Sequence, residues 1–162
     1  MDNYLMLKMV HILSSMILIG TGAGIAFFML MASRSNSPQG LLVVTKIVVL
    51  ADWVFTAPAV IIQLVSGLLL MKLLGYSFTS PWFIVVFSLF LLIGACWLPV
   101  VGIQYKLRSL AAKMTSADDK SYTSVNNRFR GWMKVWMLLG IPAFSAIIVI
   151  LYLMVFKPIS VI

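Results

Sequence analysis

Residues 41–74 read LLVVTKIVVLADWVFTAPAVIIQLVSGLLLMKLL, and only Lys46, Asp52 and Lys72 in this stretch are charged. An α-helix needs about 20 mostly apolar residues to cross the roughly 30 Å hydrocarbon layer of a bilayer. The chain holds three more runs of this kind, and 62% of its 162 residues are hydrophobic while 10% are charged. The sequence therefore predicts one transmembrane domain over residues 1–162, with helices at about 4–32, 41–74, 81–107 and 132–156.

The fold class follows from the needs of a backbone in lipid. Every N–H and C=O group there must find a partner inside the protein, so long apolar segments form helices. The alternating pattern of a membrane β-barrel is absent from the sequence. Turn-forming residues fill 33–40 and 75–80, and connections this short join antiparallel neighbours. We predict an all-α, polytopic membrane protein, folded as an antiparallel bundle of four transmembrane helices.

Basic residues concentrate around the third connection, 108–131, which is longer and polar. Within this region, Lys106–Met114 carries apolar Leu107, Leu110, Ala111 and Met114 among its basic residues, so it is an alternative extension of helix three along the membrane surface. Cytoplasmic loops carry an excess of Lys and Arg, so we predict that this loop is cytoplasmic and that both termini are outside. The net charge of +8 is then a topology signal, and its expected contact is the headgroup layer of the lipid bilayer. Nucleic-acid binding is excluded, because the basic residues do not alternate with aromatics on a soluble face. Seven of the 12 basic residues lie between positions 106 and 134, in or beside this connection: Lys106, Arg108, Lys113, Lys120, Arg128, Arg130 and Lys134.

His11 is the only histidine of the chain. It lies about two turns inside the outer end of helix one and shares a face with Lys8 and Ser15. Imidazole is the usual axial ligand of haem iron and a common ligand of copper, so His11 is the candidate cofactor and metal ligand. Two structural alternatives are an interhelical hydrogen bond and a wet surface position. Without a cofactor, Gln63 lies at a comparable depth and is the expected partner.

Asp52 is the only acidic residue within the apolar runs. An ionisable group in lipid is costly and is by default a functional hypothesis. Asp52, Thr56 and Gln63 recur at helical spacing, so this stripe is predicted to face the polar interior of the bundle. Asp52 either handles protons or a ligand, or pairs with Lys46 near the interface.

Three prolines fall in the predicted cytoplasmic halves of the helices. Pro58, Pro99 and Pro142 each lack an N–H group and leave a carbonyl of the preceding turn without its helical donor. They are either packing kinks or the wall of a widened pocket near Asp52 and Gln104. Gln104 is the fourth residue of the predicted polar interior, with Asp52, Thr56 and Gln63.

Small and sulfur-containing residues are expected to serve packing. The small residues of Gly20–Gly24 predict a close contact between two helices. Cys96 is the only cysteine, which excludes an internal disulfide and a multi-cysteine metal site. The 11 methionines are spread over apolar faces, where packing is favoured over a copper-thioether path.

Several segments resemble a bacterial family of uncharacterised integral membrane proteins that is classed under a domain of unknown function. The resemblance covers nearly the whole chain and implies four helices in the bacterial inner membrane, with no established activity. It is carried by LKMVHIL at 7–13, GTGAGIAFF at 20–28, LADWVFTAPAVIIQ at 50–63, GACWLPVVGIQ at 94–104 and LMVFKP at 153–158.

More distantly, the chain is similar to J-type protoporphyrinogen oxidases and to copper-resistance D-type membrane proteins. The corresponding segments are LKMVHI in helix one, APAVIIQLVSGLLL in helix two and the closing VFKP. The resemblance implies that His11 is the helix-one histidine important for binding haem b. Helix three of this chain lacks the lysine and the further histidine of the J-type pattern, so one subunit cannot supply two histidines to a haem. A five-coordinate site, a non-histidine second ligand or a site shared across an oligomer remains.

Three functions remain open at this stage. The first is a haem- or porphyrin-associated redox protein with His11 as ligand and Asp52 handling protons. The second is a non-enzymatic accessory or small-molecule transport bundle. The third is copper handling through His11, Cys96 and methionines. A second copy of the chain or a membrane redox partner is the expected protein contact, and enzymatic activity is left undecided.

Overall fold

The computed structural model describes residues 2–35 and 37–156, and nearly all of them are helical. Four helical segments are long and apolar enough to cross a membrane, which confirms the predicted all-α membrane fold. The second of these segments consists of α2, a π-helical turn and α3. The elements are α1 (Asp2–Arg34), α2 (Pro38–Ala51), the π-turn (Asp52–Thr56), α3 (Ala57–Leu73), α4 (Pro81–Met114) and α5 (Asp119–Phe156).

The helix ends carry capping residues that the sequence supplies. Ser37 accepts a hydrogen bond from the backbone N–H of Gly40 at the start of α2. Ser80 does the same for Phe83 at the start of α4. Gly75, with φ of 69°, follows the end of α3, where only glycine adopts such a backbone without strain. Before α5, hydrogen bonds from Ser121 hold the pKa of the exposed Asp118 carboxyl below its usual value.

Two helical hairpins make up the bundle. α4 packs along α5, α1 packs against α2 and α3, and α2 joins the two hairpins through α4. The main apolar cluster lies toward the basic end of the bundle, with Met29, Leu107 and Phe129 among its most buried members. A smaller cluster at the opposite end contains Trp82, whose indole N–H donates to the carbonyl of Leu153 at 2.9 Å.

The connection between α4 and α5 is shorter than the sequence predicted. We expected a polar connection over 108–131, but α4 continues to Met114 and α5 begins at Asp119. The end of α4 at Met114 agrees with the alternative helical extension over Lys106–Met114. The rest of the region is also mostly helical, because polar residues cover one face of each helix while Leu107, Leu110 and Phe129 are buried in the main apolar cluster. The basic side chains therefore lie on two packed amphipathic helices.

The prolines have unequal effects on the helices. α4 and α5 continue through Pro99 and Pro142. Pro58 directly follows the π-turn, in which the N–H of Ala57 bonds to the carbonyl of Asp52, five residues earlier. Because Pro58 cannot donate to either the fourth or the fifth preceding residue, it removes the bond that would restore a regular α-helix there. π-turns of this kind occur frequently at functional sites.

The close helix contact involves a different glycine from those predicted. A Cβ built on Gly20 or Gly22 would meet nothing within 4 Å, and one on Gly24 would meet only Phe28 of the same helix. The predicted packing role of Gly20–Gly24 is therefore wrong within this chain. A Cβ on Gly67 would lie 3.1 Å from Cε1 of His11, so Gly67 is where α1 and α3 approach closely.

Candidate functional site

Asp52 lies in the protein interior at the start of the π-turn and is only 4% exposed. Its Oδ1 accepts a hydrogen bond from the indole N–H of Trp97 on α4 at 3.4 Å, and its Oδ2 is buried without a hydrogen-bond partner. Lys46, the alternative partner considered from the sequence, is exposed. Among the residues that the structure describes, no basic side chain pairs with this carboxyl group. Asp52 is thus a buried acid without a counter-charge.

Thr56 and Gln104 are also buried, at 8% and 2% exposure. Thr56 Oγ1 and Gln104 Oε1 have no hydrogen-bond partner. A hydrogen bond of 2.7 Å from the Trp53 indole N–H to the Tyr105 hydroxyl places the start of the π-turn beside this part of α4. We call Asp52, Thr56 and Gln104 the inner polar site.

The direction of the Gln104 side chain follows from helix geometry. Gln104 lies seven residues after Trp97, which is close to two full turns, so the two residues share a face of α4. That face is the one from which Trp97 reaches Asp52. The inner polar site therefore combines a carboxyl oxygen, a hydroxyl and an amide oxygen that all lack partners. Buried polar atoms are normally hydrogen-bonded, so three such atoms in one region require an explanation.

His11 forms a second polar network with residues in the middle of α3. Its Nε2 lies 3.0 Å from the Gln63 side-chain amide nitrogen, and its Nδ1 lies 2.8 Å from the Ser66 hydroxyl. The Ser14 hydroxyl lies 2.5 Å from Gln63 Oε1 and 2.9 Å from the backbone carbonyl of His11. The predicted His11–Gln63 partnership is present in the structure. We call His11, Ser14, Gln63 and Ser66 the outer polar site.

Two residues that the sequence placed beside His11 stay outside this network. Ser15 donates only to the carbonyl of Ile12 in its own helix, and Lys8 is exposed, with its ammonium 5.7 Å from the centre of the Tyr4 ring. Ser14 and Ser66 were missed. Their positions, three residues from His11 and from Gln63, were the available signal, because residues three apart are neighbours on a helix surface.

One face of the second membrane segment connects the two sites. Buried or half-buried side chains recur there at alternating spacings of four and three residues, and the span from the first to the last corresponds to about 21 Å of helix. Ala59 interrupts the polar series in the middle and is itself buried. We call this face the polar seam, and its members are Asp52, Thr56, Ala59, Gln63 and Ser66.

The sequence of the chain was compared with known proteins. Residues 5–158 match the family described as predicted integral membrane protein (DUF2269). The chain belongs to this family. That description places the family in a membrane, and the four long apolar helices of the structure are consistent with it. No curated protein and no solved structure gives a significant match.

Whether this DUF2269 protein can bind a metal ion or a haem depends on the side chains that could serve as ligands. The described residues contain no group of three or more His, Cys, Asp or Glu side chains that could hold a metal ion. Both ring nitrogens of His11 are hydrogen-bonded, so ligation through Nε2 would break its bond to Gln63. The groove beside Ser66 is lined otherwise by apolar residues, including Val10 and Ile62, and offers no second ligand. A haem or copper ion at His11 would therefore replace its hydrogen bond to Gln63 and find no further ligand in this groove.

Proposed function

We propose that the protein is a non-enzymatic transport bundle that carries protons, with Asp52 as the group that binds them. The observation that carries this proposal is the buried Asp52 carboxyl group, whose Oδ2 has no partner and which no basic side chain of the described residues neutralises. We prefer proton transport to haem chemistry and copper handling, because both ring nitrogens of His11 are already hydrogen-bonded within the outer polar site.

The state of Asp52 follows from the cost of burying charge. An ionised carboxylate in a poorly polar interior is unfavourable by several kcal/mol unless a counter-charge or a full set of hydrogen bonds compensates it. The donor that the structure places on the Asp52 carboxyl group is the Trp97 indole, at 3.4 Å. Binding a proton removes the charge, and the proton on Oδ2 then needs an acceptor. On the same face of α4 as Trp97, about 10 Å further along the helix, Gln104 Oε1 is a buried acceptor without a partner.

The polar seam gives a path away from Asp52. Thr56 lies one turn from it, and Gln63 and Ser66 continue the series to the outer polar site. Ala59 separates Thr56 from Gln63, which are about 10 Å apart along the helix. A proton path through this interval requires water.

The direction of the path depends on the orientation that we propose from the basic residues. The basic ends of α4 and α5 face the cytoplasm of a bacterial inner membrane, and both termini lie outside. Exposed Trp53 and Tyr105 form their hydrogen bond where the apolar run of α4 ends, and such aromatics are typical of the membrane interface. The inner polar site then lies near the cytoplasmic side and His11 near the outer side. A bundle of this kind requires no redox partner.

The test is proton flux through the purified full-length protein in liposomes that contain a pH-sensitive dye. A potassium diffusion potential supplies the driving force. Wild-type protein should carry protons above the level of empty liposomes, and Asp52→Asn should reduce the protein-dependent flux at least tenfold. Asp52→Glu, which keeps the acid, should retain most of it. Asp119→Asn is the matched control, because it removes the same charge from an exposed position.

Two results would contradict the proposal. Wild-type flux equal to that of empty liposomes would show that the bundle does not carry protons. Equal flux in wild type and Asp52→Asn would show that Asp52 is not the group that binds them. Inserted protein would be quantified for each variant, so that a folding defect is not read as lost transport.

A further inference from the structure

We propose that His11 is a second proton-binding site, in which a half-turn of the Gln63 side-chain amide allows the imidazole to be fully hydrogen-bonded in every protonation state. The inference rests on the proposed function in one respect, because it names the outer group that exchanges protons with the polar seam. It stands on hydrogen-bond geometry that is independent of Asp52. A histidine that only joins two helices would instead be held in one tautomer.

In the first neutral state, the proton is on Nδ1. Nδ1–H donates to the Ser66 hydroxyl at 2.8 Å, and that hydroxyl donates to the carbonyl of Ile62 at 2.6 Å. The unprotonated Nε2 accepts from the Gln63 amide nitrogen at 3.0 Å, and the Ser14 hydroxyl donates to the amide oxygen at 2.5 Å. Both ring nitrogens of His11 therefore have a hydrogen-bond partner in this state.

In the second neutral state, the proton is on Nε2 and the Gln63 amide is turned. The amide oxygen then accepts from Nε2–H, and the amide nitrogen donates to the Ser14 hydroxyl oxygen. Ser14 donates to the carbonyl of His11 at 2.9 Å, and the Ser66 hydroxyl donates to Nδ1. The same heavy-atom positions serve both states, because the two ends of an amide group have nearly the same shape and their assignment follows from the network.

The charged state combines parts of both patterns. Uptake of one proton from water gives an imidazolium with two N–H donors, and release of either proton to water restores a neutral ring. Nδ1–H donates to Ser66, which donates to Ile62, while Nε2–H donates to the turned Gln63 amide, which donates to Ser14. Ser14 again donates to the carbonyl of His11. No atom of the outer polar site is left without a partner when the proton is bound.

The charged groups around His11 do not fix its state by forming an ion pair. Lys8 on α1 and Lys72 on α3 are both exposed, and Tyr152 is an exposed titratable side chain on α5. The apolar parts of α4 and α5, residues 81–105 and 135–156, contain no charged residue. Unperturbed imidazole gains and loses its proton between pH 5 and 8, and the local influences on this exchange are the burial of the ring and its hydrogen-bond network.

Nitrogen-15 NMR of histidine-labelled protein tests this directly, because the chain contains one histidine. The full-length protein would be measured in liposomes over a pH series. We expect both neutral tautomers to be populated and a doubly protonated ring to appear reversibly on acidification. Gln63→Leu should weaken proton binding about tenfold or more and favour the Nδ1–H tautomer, because Nε2–H loses its acceptor. Gln63→Glu should act in the opposite direction, and Ser15→Ala, which leaves the network intact, should match wild type.

A single fixed tautomer that takes up no proton before the protein unfolds would overturn this inference. Identical titration of wild type, Gln63→Leu and Gln63→Glu would overturn it as well. These outcomes leave the Asp52 flux experiment unaffected. Conversely, absent flux with reversible protonation of His11 would refute transport and keep the His11 site.

Discussion

Gly67→Val tests whether His11 packs against α3 as the structure shows. A Cβ at this position would lie 3.1 Å from Cε1 of the imidazole, and valine adds two further methyl groups. The ring must then move away, which breaks its hydrogen bonds to Gln63 and Ser66. Interhelical hydrogen bonds in membrane proteins contribute about 0.6 kcal/mol on average and about 1.7 at most. We therefore expect a loss of about 1–3 kcal/mol of unfolding free energy.

Gly94→Val is the matched control for this prediction. Gly94 is half-buried like Gly67 and lies within a membrane helix, but a Cβ added there would meet nothing within 4 Å. Both variants would be unfolded in the same detergent or lipid mixture, with helical content followed by circular dichroism. We expect Gly94→Val to stay within about 0.5 kcal/mol of wild type, as surface substitutions usually do. Equal destabilisation by both variants would refute the close contact between His11 and Gly67.

Three further outcomes are expected. Purified protein expressed with supplied haem should show no Soret band, and a stoichiometric band would restore the haem hypothesis. In a Cys96→Ser background, single cysteines at Ser77 and Ser121 should be labelled from opposite sides of the membrane, and labelling of Ser121 from outside intact cells would contradict the proposed topology. Leu107→Ala should lower the unfolding free energy by about 2–5 kcal/mol because Leu107 is fully buried. Leu98→Ala, at a 67% exposed position, should have little effect. Similar losses of unfolding free energy in the two variants would show that the α4–α5 packing is not as described.

The membrane fold was predictable because the lipid bilayer sets both the hydropathy and the length of a helix that crosses it. Lipid cannot satisfy backbone polar groups, so a run such as residues 41–74 must be helical. The His11–Gln63 pair was predictable for a similar reason, since helix rise converts sequence position into depth. The same counting failed for the third connection. Polarity there reflects the solvated faces of α4 and α5. The apolar Leu107 and Leu110 indicated the extension of α4, but the start of α5 at Asp119 was not predicted.

Other parts of the candidate site depended on packing between distant segments. Which helix lies beside Gly20–Gly24 cannot be derived from small residues alone, and the close approach occurs at Gly67 instead. The sequence indicated that Asp52 faces the interior, but not that Trp97 donates to it. The π-turn was likewise not predicted, although Pro58 marked the place where helical hydrogen bonding had to change.

That Asp52 binds protons inside the membrane is tested by infrared spectroscopy of the carboxyl groups. Protein in lipid would be recorded over a pH series and compared with Asp52→Asn and with Asp119→Asn, which removes an exposed acid. We predict a band from a protonated carboxyl group that wild type and Asp119→Asn share and that Asp52→Asn lacks. A wild-type series without that band, or a band that persists in Asp52→Asn, would contradict proton binding by Asp52.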